Sequence, residues 1–270
     1  MPVSAFPIEV MGILNVTPDS FSDGGSFNTT DKALRHAEKM IAEGADWLDI
    51  GGESTRPGAK DVQEQEEVDR VLPVLEKIRD NFEVKVSVDT SKAKVMSESI
   101  RVGVDMINDV RALRETGALE AVADADCYVC LMHMMGQPRV MQDNPEYEDV
   151  VLEVKAFLEE RVRVCEAAGI SKNRVMIDPG FGFGKTVRHN YQLLNKLQAF
   201  HEMDLPMLIG LSRKSMLGAV TDRAVDERLA ASLAGATISA MKGAKILRVH
   251  DVAQTKDIVQ VVMATITGEC

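Results

Sequence analysis

The sequence predicts a (β/α)8 barrel, the α/β fold in which eight parallel strands alternate with helices. The first observation is a set of about eight short runs rich in Val, Ile and Leu, without regular inside–outside alternation. Such runs are typical of parallel strands buried on both faces. The second is that a longer segment of helical period follows each run. The third is the length of 270 residues, which fits one domain spanning residues 1–270. A doubly wound open sheet remains the alternative.

The predicted strands and helices alternate along the whole chain. We place strands at residues 8–15, 46–50, 84–89, 105–108, 127–133, 174–178, 206–211 and 244–249. We place helices at residues 31–44, 63–80, 91–102, 114–123, 146–168, 189–200, 225–242 and 251–267. Pro73 lies inside the second predicted helix. Because proline has no amide donor, we expect it to kink or split that helix.

Composition and charge narrow the class of protein. Hydrophobic residues make up 45% of the chain and charged residues 27%, as in ordinary globular proteins. No apolar stretch approaches the roughly 18 residues of a membrane span, and the N-terminus lacks the pattern of a signal peptide. We therefore expect a cytoplasmic protein without a membrane partner. The net charge of −11 argues against a nucleic-acid partner, which would need basic surfaces.

The cysteines do not predict a metal site. Cys127 and Cys130 have CxxC spacing, but they lie in a predicted strand and no second CxxC pair accompanies them. Residues three apart on a strand point to opposite faces. We interpret both as structural thiols in a reducing compartment.

Polar side chains stand where nearly every predicted strand ends. In such a barrel the C-terminal ends of the strands surround the ligand site, so these side chains should share one mouth. Carboxylates and an amide come from four strands, as Asp49, Asp89, Asn108 and Asp178. A carboxylate accepts two parallel hydrogen bonds, which suits a flat heterocycle with amino and ring N–H donors.

Positive side chains are predicted at the same mouth. They are Arg56, Lys185, Arg213, Lys214, Arg248 and His250. Such a cluster opposes the overall negative charge, and Arg and Lys are the usual partners of phosphate groups. The sequence therefore predicts a small ligand with an aminated ring at one end and a phosphate or pyrophosphate at the other. A Mg²⁺ ion held by few protein side chains would suit a pyrophosphate.

Three loops add to this site. Residues 180–185, GFGFGK, offer bare backbone for close approach to a ligand or form a tight turn that needs positive φ, and both interpretations remain open. The loops at residues 16–30 and 54–61 are expected to close over the ligand.

His133 is expected to be a core histidine without a role in the chemistry.

Seven stretches of the sequence match the motifs of one enzyme family, in the same order. The longest are MGILNVTPDSFSDGG at residues 11–25 and DIGGESTRPG at residues 49–58. The others are VDT at 88–90, IND at 107–109, DPGFGFGK at 178–185, SRKS at 212–215 and RVHDV at 248–252. In these stretches the chain resembles the dihydropteroate synthases, from about residue 10 to the C-terminus.

The resemblance implies a transferase of folate biosynthesis. The expected reaction joins 6-hydroxymethyl-7,8-dihydropterin pyrophosphate to 4-aminobenzoate, by an SN1-like displacement that releases pyrophosphate and gives 7,8-dihydropteroate. The family also implies Mg²⁺ and a homodimer. The insertion found in sulfonamide-resistant relatives is not present around residues 55–61 or 17–25. We therefore expect a sulfonamide-sensitive enzyme.

The resemblance also implies a role for each site residue. The pterin ring would be held by Asp49, Asp89, Asn108, Asp178 and Lys214. The pyrophosphate would lie against Asn15, Arg56, Arg248 and His250, with Asn15 also contacting Mg²⁺. The 4-aminobenzoate would dock between Thr55, Arg56, Pro57, Phe183, Ser212 and Lys214. The catalytic residues would be Asp89, Lys214, Arg248 and His250.

Two alternatives remain open on the sequence. A pterin-binding methyltransferase that acts with a corrinoid protein uses a similar barrel, but it would not need the anion-binding residues 212–214 and 248–250. A catalytically inactive barrel is the other.

Helix 225–242 carries a face of small residues, namely Leu229, Ala230, Leu233, Ala234, Ala236, Thr237 and Ala240. We expect most of that face to cover the barrel.

Overall fold

The computed structural model describes residues 7–17, 26–54, 61–136 and 145–269. Its sheet has eight parallel strands. The ends of each strand lie within a few residues of the ends of a predicted run. They are β1 (Glu9–Asn15), β2 (Trp47–Gly51), β3 (Lys85–Asp89), β4 (Met106–Asp109), β5 (Tyr128–Met132), β6 (Val175–Asp178), β7 (Leu208–Ile209) and β8 (Ile246–Val249). The expectation of eight parallel strands is confirmed.

The sheet closes into a barrel. Strand β1 pairs with both β2 and β8, and the strand order runs from β6 back through β1 to β8 and β7. The remaining gap between β6 and β7 is spanned by a parallel bridge between Ile177 and Met207. There the Ile177 amide donates to the Pro206 carbonyl over 3.0 Å. The fold is therefore a closed barrel and not the doubly wound open sheet that was the alternative.

Helices surround the strands. They are α1 (Ser26–Ala42), α2 (Glu64–Asn81), α3 (Ala93–Val102), α4 (Ala118–Ala123), α5 (Val150–Ala167), α6 (Val187–Asn195), α7 (Ser215–Thr221), α8 (Leu229–Met241) and α9 (Val252–Thr267). Two of them, α7 and α8, follow β7, where the sequence predicted one helix. The seven-residue α7 was missed because it is short, contains Gly218 and ends at Asp222 in the left-handed region, φ 52°.

Pro73 does not split α2, which was one of the two effects expected of it. The helix runs unbroken from Glu64 to Asn81 with Pro73 inside it. Pro73 lies on the exposed face, where water can hydrogen-bond the carbonyl that proline leaves unpaired. On the opposite face Val71, Leu75 and Ile78 are fully buried and hold the helix against the barrel.

The small-residue face of α8 does not mainly cover the barrel, contrary to expectation. Of the seven residues, only Ala236 and Ala240 are buried. Ala230, Ala234, Ile238 and Met241 instead form an exposed stripe at helical spacing. This part of the surface is apolar without contacting the core.

The barrel interior is packed with side chains rather than open. One buried cluster fills it, made of Met11, Trp47, Met106, Cys130, Met176, Leu208 and Ile246. Cys127 belongs to the separate cluster between strands and helices, so the two cysteines do point to opposite faces. Both are free thiols, as is the buried Cys165. In the described ranges we find no helix with the length and apolarity needed to cross a membrane.

A polar group closes the N-terminal end of the barrel. The Trp47 indole donates to Glu9 over 2.8 Å, and Lys85 donates to the same carboxylate over 3.0 Å. Burial opposes the charge on Glu9, but these hydrogen bonds outweigh it and lower the pKa of Glu9. Protein side chains therefore occupy the N-terminal end of the barrel. The candidate ligand site is the opposite end, where the strands finish.

Candidate functional site

The register of the sheet brings the predicted polar residues together at the C-terminal ends of the strands. Asn15 is paired with Gly51, Gly51 with Asp89, and Asp89 with Asn108. A Cβ on Gly51 would lie 3.3 Å from Asn15 Oδ1 and 3.9 Å from Asp89 Cβ. The side chains of Asn15 and Asp89 therefore flank one small gap that glycine leaves open.

Arg248, on β8, joins two buried carboxylates of this mouth. Its Nε donates to Asp49 Oδ2 over 2.6 Å, and its Nη2 donates to Asp89 Oδ2 over 2.9 Å. Asn108 Nδ2 lies 3.4 Å from the same Asp49 oxygen. A guanidinium can do this because its N–H groups form a rigid planar fork.

The electrostatics of this group follow from burial. Burial raises the pKa of Asp89 to about 7, although Arg248 pulls it down. Burial likewise opposes the charge on Arg248, but Asp49 and Asp89 outweigh it and raise the pKa of Arg248. The second oxygen of Asp49, Oδ1, is buried and has no hydrogen-bond partner among the described residues. A bound ligand with an N–H donor would satisfy it.

Asp178 and Lys214 form the second charged part of the mouth. Asp178, at the end of β6, accepts a hydrogen bond from the Gly180 amide over 2.7 Å. Burial raises its pKa, and Lys214 partly opposes the rise. Burial also lowers the pKa of Lys214 to about 8, against the attraction of Asp178. Both groups are therefore closer to exchanging protons near neutral pH than they are in water.

Lys214 also contacts the glycine-rich loop. Its Nζ donates to the Phe181 carbonyl and lies 4.7 Å from the centroid of the Phe183 ring. An ammonium over an aromatic face is an attractive cation–π pair. Phe183 packs on the buried Val110, Met132 and Met134. The Phe183 ring of the loop and the Lys214 ammonium thus lie side by side.

Ser212 has a partner that the sequence did not indicate. Its Oγ accepts from the His250 amide over 3.2 Å and lies 3.0 Å from His250 Nδ1. The hydroxyl therefore orients the imidazole at the end of β8. Ser212 and His250 are two of the residues predicted for the anion and the second substrate.

Two of the predicted cations, Lys185 and Arg213, have hydrogen-bonding partners within the protein. Lys185 is 2% exposed, and its amine lies 2.8 Å from His133 Nδ1. Arg213 forms a two-pronged pair with Asp251, at 2.5 and 3.1 Å. Sequence position could not show this, because both residues follow strands but turn to partners in the protein.

His133 is a core histidine, as expected. It is buried, and its ring stands edge-on to Phe157 with centroids 4.9 Å apart. Burial, with the nearby Lys185, lowers the pKa of His133 to about 2. The imidazole is therefore neutral at physiological pH.

One charged network beside the mouth was missed. Lys92 donates to Glu53 over 2.6 Å and also pairs with Glu67, whose side chain is fully buried. Glu53 accepts from the Val62 amide over 2.9 Å, so it joins the two flanks of residues 54–61. The signal in the sequence was Glu67 itself, an acidic residue in the apolar stripe of α2 that continues through Val71 and Leu75.

Three predicted site residues, Thr55, Arg56 and Pro57, lie outside the described residues, as do most of the loops 16–30 and 54–61. Within the described ranges, no three His, Cys, Asp or Glu residues group as a metal site would require. The geometry that remains combines carboxylates for ring donors with Arg248, His250 and Lys214 for an anion. It can bind and polarise such a ligand without a nucleophilic side chain.

Comparison with known proteins assigns a family to this geometry. Residues 11–250 match the family described as "Pterin binding enzyme". The chain is 58% identical over 257 residues to the dihydropteroate synthase of Haemophilus influenzae, covering 95% of this chain and 94% of that one.

Two solved structures are similar throughout. One is the Yersinia pestis dihydropteroate synthase with a sulfonamide drug complex, at TM-score 0.93 and 53% identity, covering 97% and 95% of the two chains. The other is the Xanthomonas albilineans dihydropteroate synthase in complex with 7,8-dihydropteroate, at TM-score 0.87 and 47% identity, covering 96% and 94%.

We predict that Asp178→Asn stabilises the ligand-free protein at alkaline pH. The folded-state pKa of Asp178 is raised, so its contribution to stability is present below the unfolded pKa and is lost as pH rises through the folded pKa. Asn removes the charge and keeps an oxygen for the Gly180 amide. The unfolding midpoint of the variant should exceed that of wild type by a few degrees at alkaline pH, and the difference should shrink as pH falls towards the ordinary range of an aspartate carboxyl.

Thermal unfolding followed by circular dichroism measures this difference. Asp126→Asn, at an exposed position, is the matched control and should show no such pH dependence. A variant less stable than wild type at alkaline pH would contradict the assignment of a buried, destabilising charge.

Proposed function

The chain belongs to the dihydropteroate synthase family of pterin-binding enzymes, and we propose that the reaction of that family takes place at the mouth of its barrel. The enzyme is a transferase of folate biosynthesis. It condenses 6-hydroxymethyl-7,8-dihydropterin pyrophosphate with 4-aminobenzoate to give 7,8-dihydropteroate and pyrophosphate. The observation that carries the placement is the Arg248 guanidinium between Asp49 and Asp89. The family membership decides against the methyltransferase alternative.

The pterin ring fits the carboxylate side of the mouth. Its amino and ring N–H groups would donate to Asp89, Asp178 and the unpaired Oδ1 of Asp49. Asn108 offers an amide and Lys214 a cation to the ring oxygen and nitrogens. These are buried positions, so each hydrogen bond made there is selective for a ligand with the matching donor.

The pyrophosphate fits the basic side, near Asn15, Arg248 and His250, with Arg56 from outside the described residues. The C–O bond between the pterin methylene and pyrophosphate breaks first, and its electron pair leaves with the pyrophosphate. The positive charge left on the pterin methylene is stabilised by Asp89, and the charge on the leaving group by Arg248 and His250. Arg248 would therefore lie between the positive charge on the pterin methylene and the negative charge on the leaving pyrophosphate.

The 4-aminobenzoate fits beside the glycine-rich loop. Its ring would stack on Phe183 and its carboxylate would face Lys214 and Ser212, with Thr55, Arg56 and Pro57 completing the pocket. Its amine then attacks the pterin methylene and loses a proton. No activated Ser or Cys is needed, since the amine is itself the nucleophile. A sulfonamide would compete for this pocket.

The donor set also fits a Mg²⁺ ion bound largely through the substrate. Asn15 Oδ1 faces the gap above Gly51, where a hard cation could take one amide oxygen and several pyrophosphate oxygens. Mg²⁺ would supply charge neutralisation to the leaving pyrophosphate.

A second copy of the chain fits the exposed face of α8. Ile238 and Met241 are each about two-fifths exposed, beside the smaller Ala230 and Ala234. Small residues along a helix let a partner helix approach closely, and the larger pair at one end would anchor it. We therefore propose a cytoplasmic homodimer of one-domain chains that meet at α8.

We predict that purified protein releases pyrophosphate from the pterin substrate only when 4-aminobenzoate is present. Asp89→Asn should lower kcat/KM at least about a hundredfold, because the developing cation loses its counter-charge. A sulfonamide should inhibit wild type competitively with 4-aminobenzoate.

A coupled pyrophosphate assay measures all three effects, with Asp126→Asn as the matched control that keeps wild-type rates. Wild-type protein that binds pterin without turnover would indicate an inactive barrel. Inhibition that stays flat into millimolar sulfonamide would contradict the expected sensitivity.

We predict that Mg²⁺ strengthens pyrophosphate binding through Asn15. Titration calorimetry should show tighter pyrophosphate binding to wild type with Mg²⁺ than with a chelator. In Asn15→Ala the gain from Mg²⁺ should fall by roughly tenfold, as expected for one lost ligand to a charged centre. Equal gains in both proteins would remove Asn15 from the metal site.

We predict that Ile238→Glu dissociates the dimer. A charge placed in an apolar interface must be desolvated without a partner. Sedimentation velocity should give twice the mass of one chain for wild type and one chain mass for the variant. Leu152→Glu, at an exposed position on α5, is the control and should stay dimeric. A wild-type monomer at micromolar concentration would contradict the proposal.

A further inference from the structure

The amine of Lys185 is enclosed by four hydrogen-bond acceptors. They are His133 Nδ1 at 2.8 Å, the Gly180 carbonyl at 2.9 Å, the Phe183 carbonyl at 3.0 Å and the His133 carbonyl at 3.4 Å. A lysine ammonium has three N–H donors, so the three nearest acceptors can take one each. Among the described residues, no carboxylate forms an ion pair with Lys185. Its partners are backbone and a neutral imidazole.

Burying this amine costs free energy, so we expect the lysine to contribute something that an apolar residue could not. A buried cation that forms no ion pair is unfavourable, and burial lowers the pKa of Lys185 well below its usual range even though the Asp178 carboxylate partly opposes the shift. A leucine or methionine would fill the same space without that cost. The difference that a lysine makes is the set of N–H bonds to the loop backbone.

The bonded carbonyls belong to a loop that cannot hold its shape through its own side chains. Gly180 and Gly184 both have positive φ, 72° and 63°. A Cβ on Gly180 would lie 1.9 Å from the His133 carbonyl oxygen, and one on Gly184 would lie 2.5 Å from that of Met135. The loop is therefore pressed against the segment that follows β5, with glycine required at both contacts.

Lys185 ties the two sides of this contact together. Its amine binds the start of the loop at Gly180, its tip at Phe183, and the neighbouring segment at His133. The tip carries the Phe183 ring, and the loop carbonyl of Phe181 accepts from Lys214. A change at Lys185 would therefore move the ring and the cation that lie next to each other at the mouth.

We propose that Lys185 is a positioning residue for the 4-aminobenzoate pocket, acting through the loop carbonyls of Gly180 and Phe183 and through His133. It does not touch either substrate. The inference rests on the function proposed above, which places 4-aminobenzoate between Phe183 and Lys214. It predicts a much larger defect for the second substrate than for the first. Phe183 lies on the loop itself, whereas three of the five pterin residues, Asp49, Asp89 and Asn108, lie on other strands and do not contact it.

Lys185→Met tests the inference, since it keeps the length of the side chain and removes the donors. We expect the KM for 4-aminobenzoate to rise about tenfold or more while the affinity for the pterin substrate changes less than about threefold. Lys172→Met, at an exposed position, is the matched control and should leave both values unchanged. The unfolding midpoint is measured alongside for every variant.

Two variants of His133 keep the test decisive if Lys185→Met does not fold. Asn can place an acceptor near the position of Nδ1, whereas Leu cannot. We expect His133→Leu to raise the KM for 4-aminobenzoate and His133→Asn to restore most of the wild-type value. A purely structural role would lower the unfolding midpoint and affect both substrates equally.

The outcomes separate the two proposals. Active wild type with an unchanged KM in Lys185→Met, or with equal losses for both substrates in the Lys185 and His133 variants, would overturn the role of Lys185 alone. Wild type without turnover would overturn the proposed function and this inference with it.

Discussion

The contact on which the site depends is the guanidinium of Arg248 between Asp49 and Asp89. Two carboxylates buried this close would repel each other, and one would hold a proton, without a cation between them. Arg can serve both because its fork presents separate N–H groups in fixed directions, which the single ammonium of Lys does not. The three residues come from β2, β3 and β8, and the pairing of β1 with both β2 and β8 brings these strands together. The pairing of β1 with β8 and the chemistry of the mouth are thus one requirement.

The other features of the mouth follow from the same constraint. Burial disfavours the charged form of each group, so the pKa of Asp89 rises to about 7 and that of Lys214 falls to about 8. Keeping such groups away from water costs free energy that the rest of the fold must supply. The packed interior below and the Glu9 group at the opposite end supply the rigid support, while Gly51 leaves a gap between Asn15 and Asp89 into which a ligand fits.

Much of this could be predicted from the sequence, for definite reasons. Strands buried on both faces form continuous apolar runs, so all eight were placed, and the residue that ends a run must lie at the mouth. Asp49, Asp89, Asn108, Asp178, Lys214 and Arg248 were found in this way. What the sequence does not encode is the direction of a side chain beyond the strand end. Lys185 and Arg213 therefore looked like mouth cations, although one turns to His133 and the other to Asp251. The short α7 and the exposed stripe of α8 depend on packing between elements, which periodicity within one helix does not reveal.

A double-mutant cycle on Asp89 and Arg248 tests the central claim most directly. Calorimetry would give the affinity of the pterin substrate for wild type, Asp89→Asn, Arg248→Met and the double variant. If the two side chains act as one charged unit, the double variant loses little more than the worse single variant, because the first substitution has already broken the unit. Losses that add across the two sites would show that Asp89 and Arg248 act independently and would contradict the account.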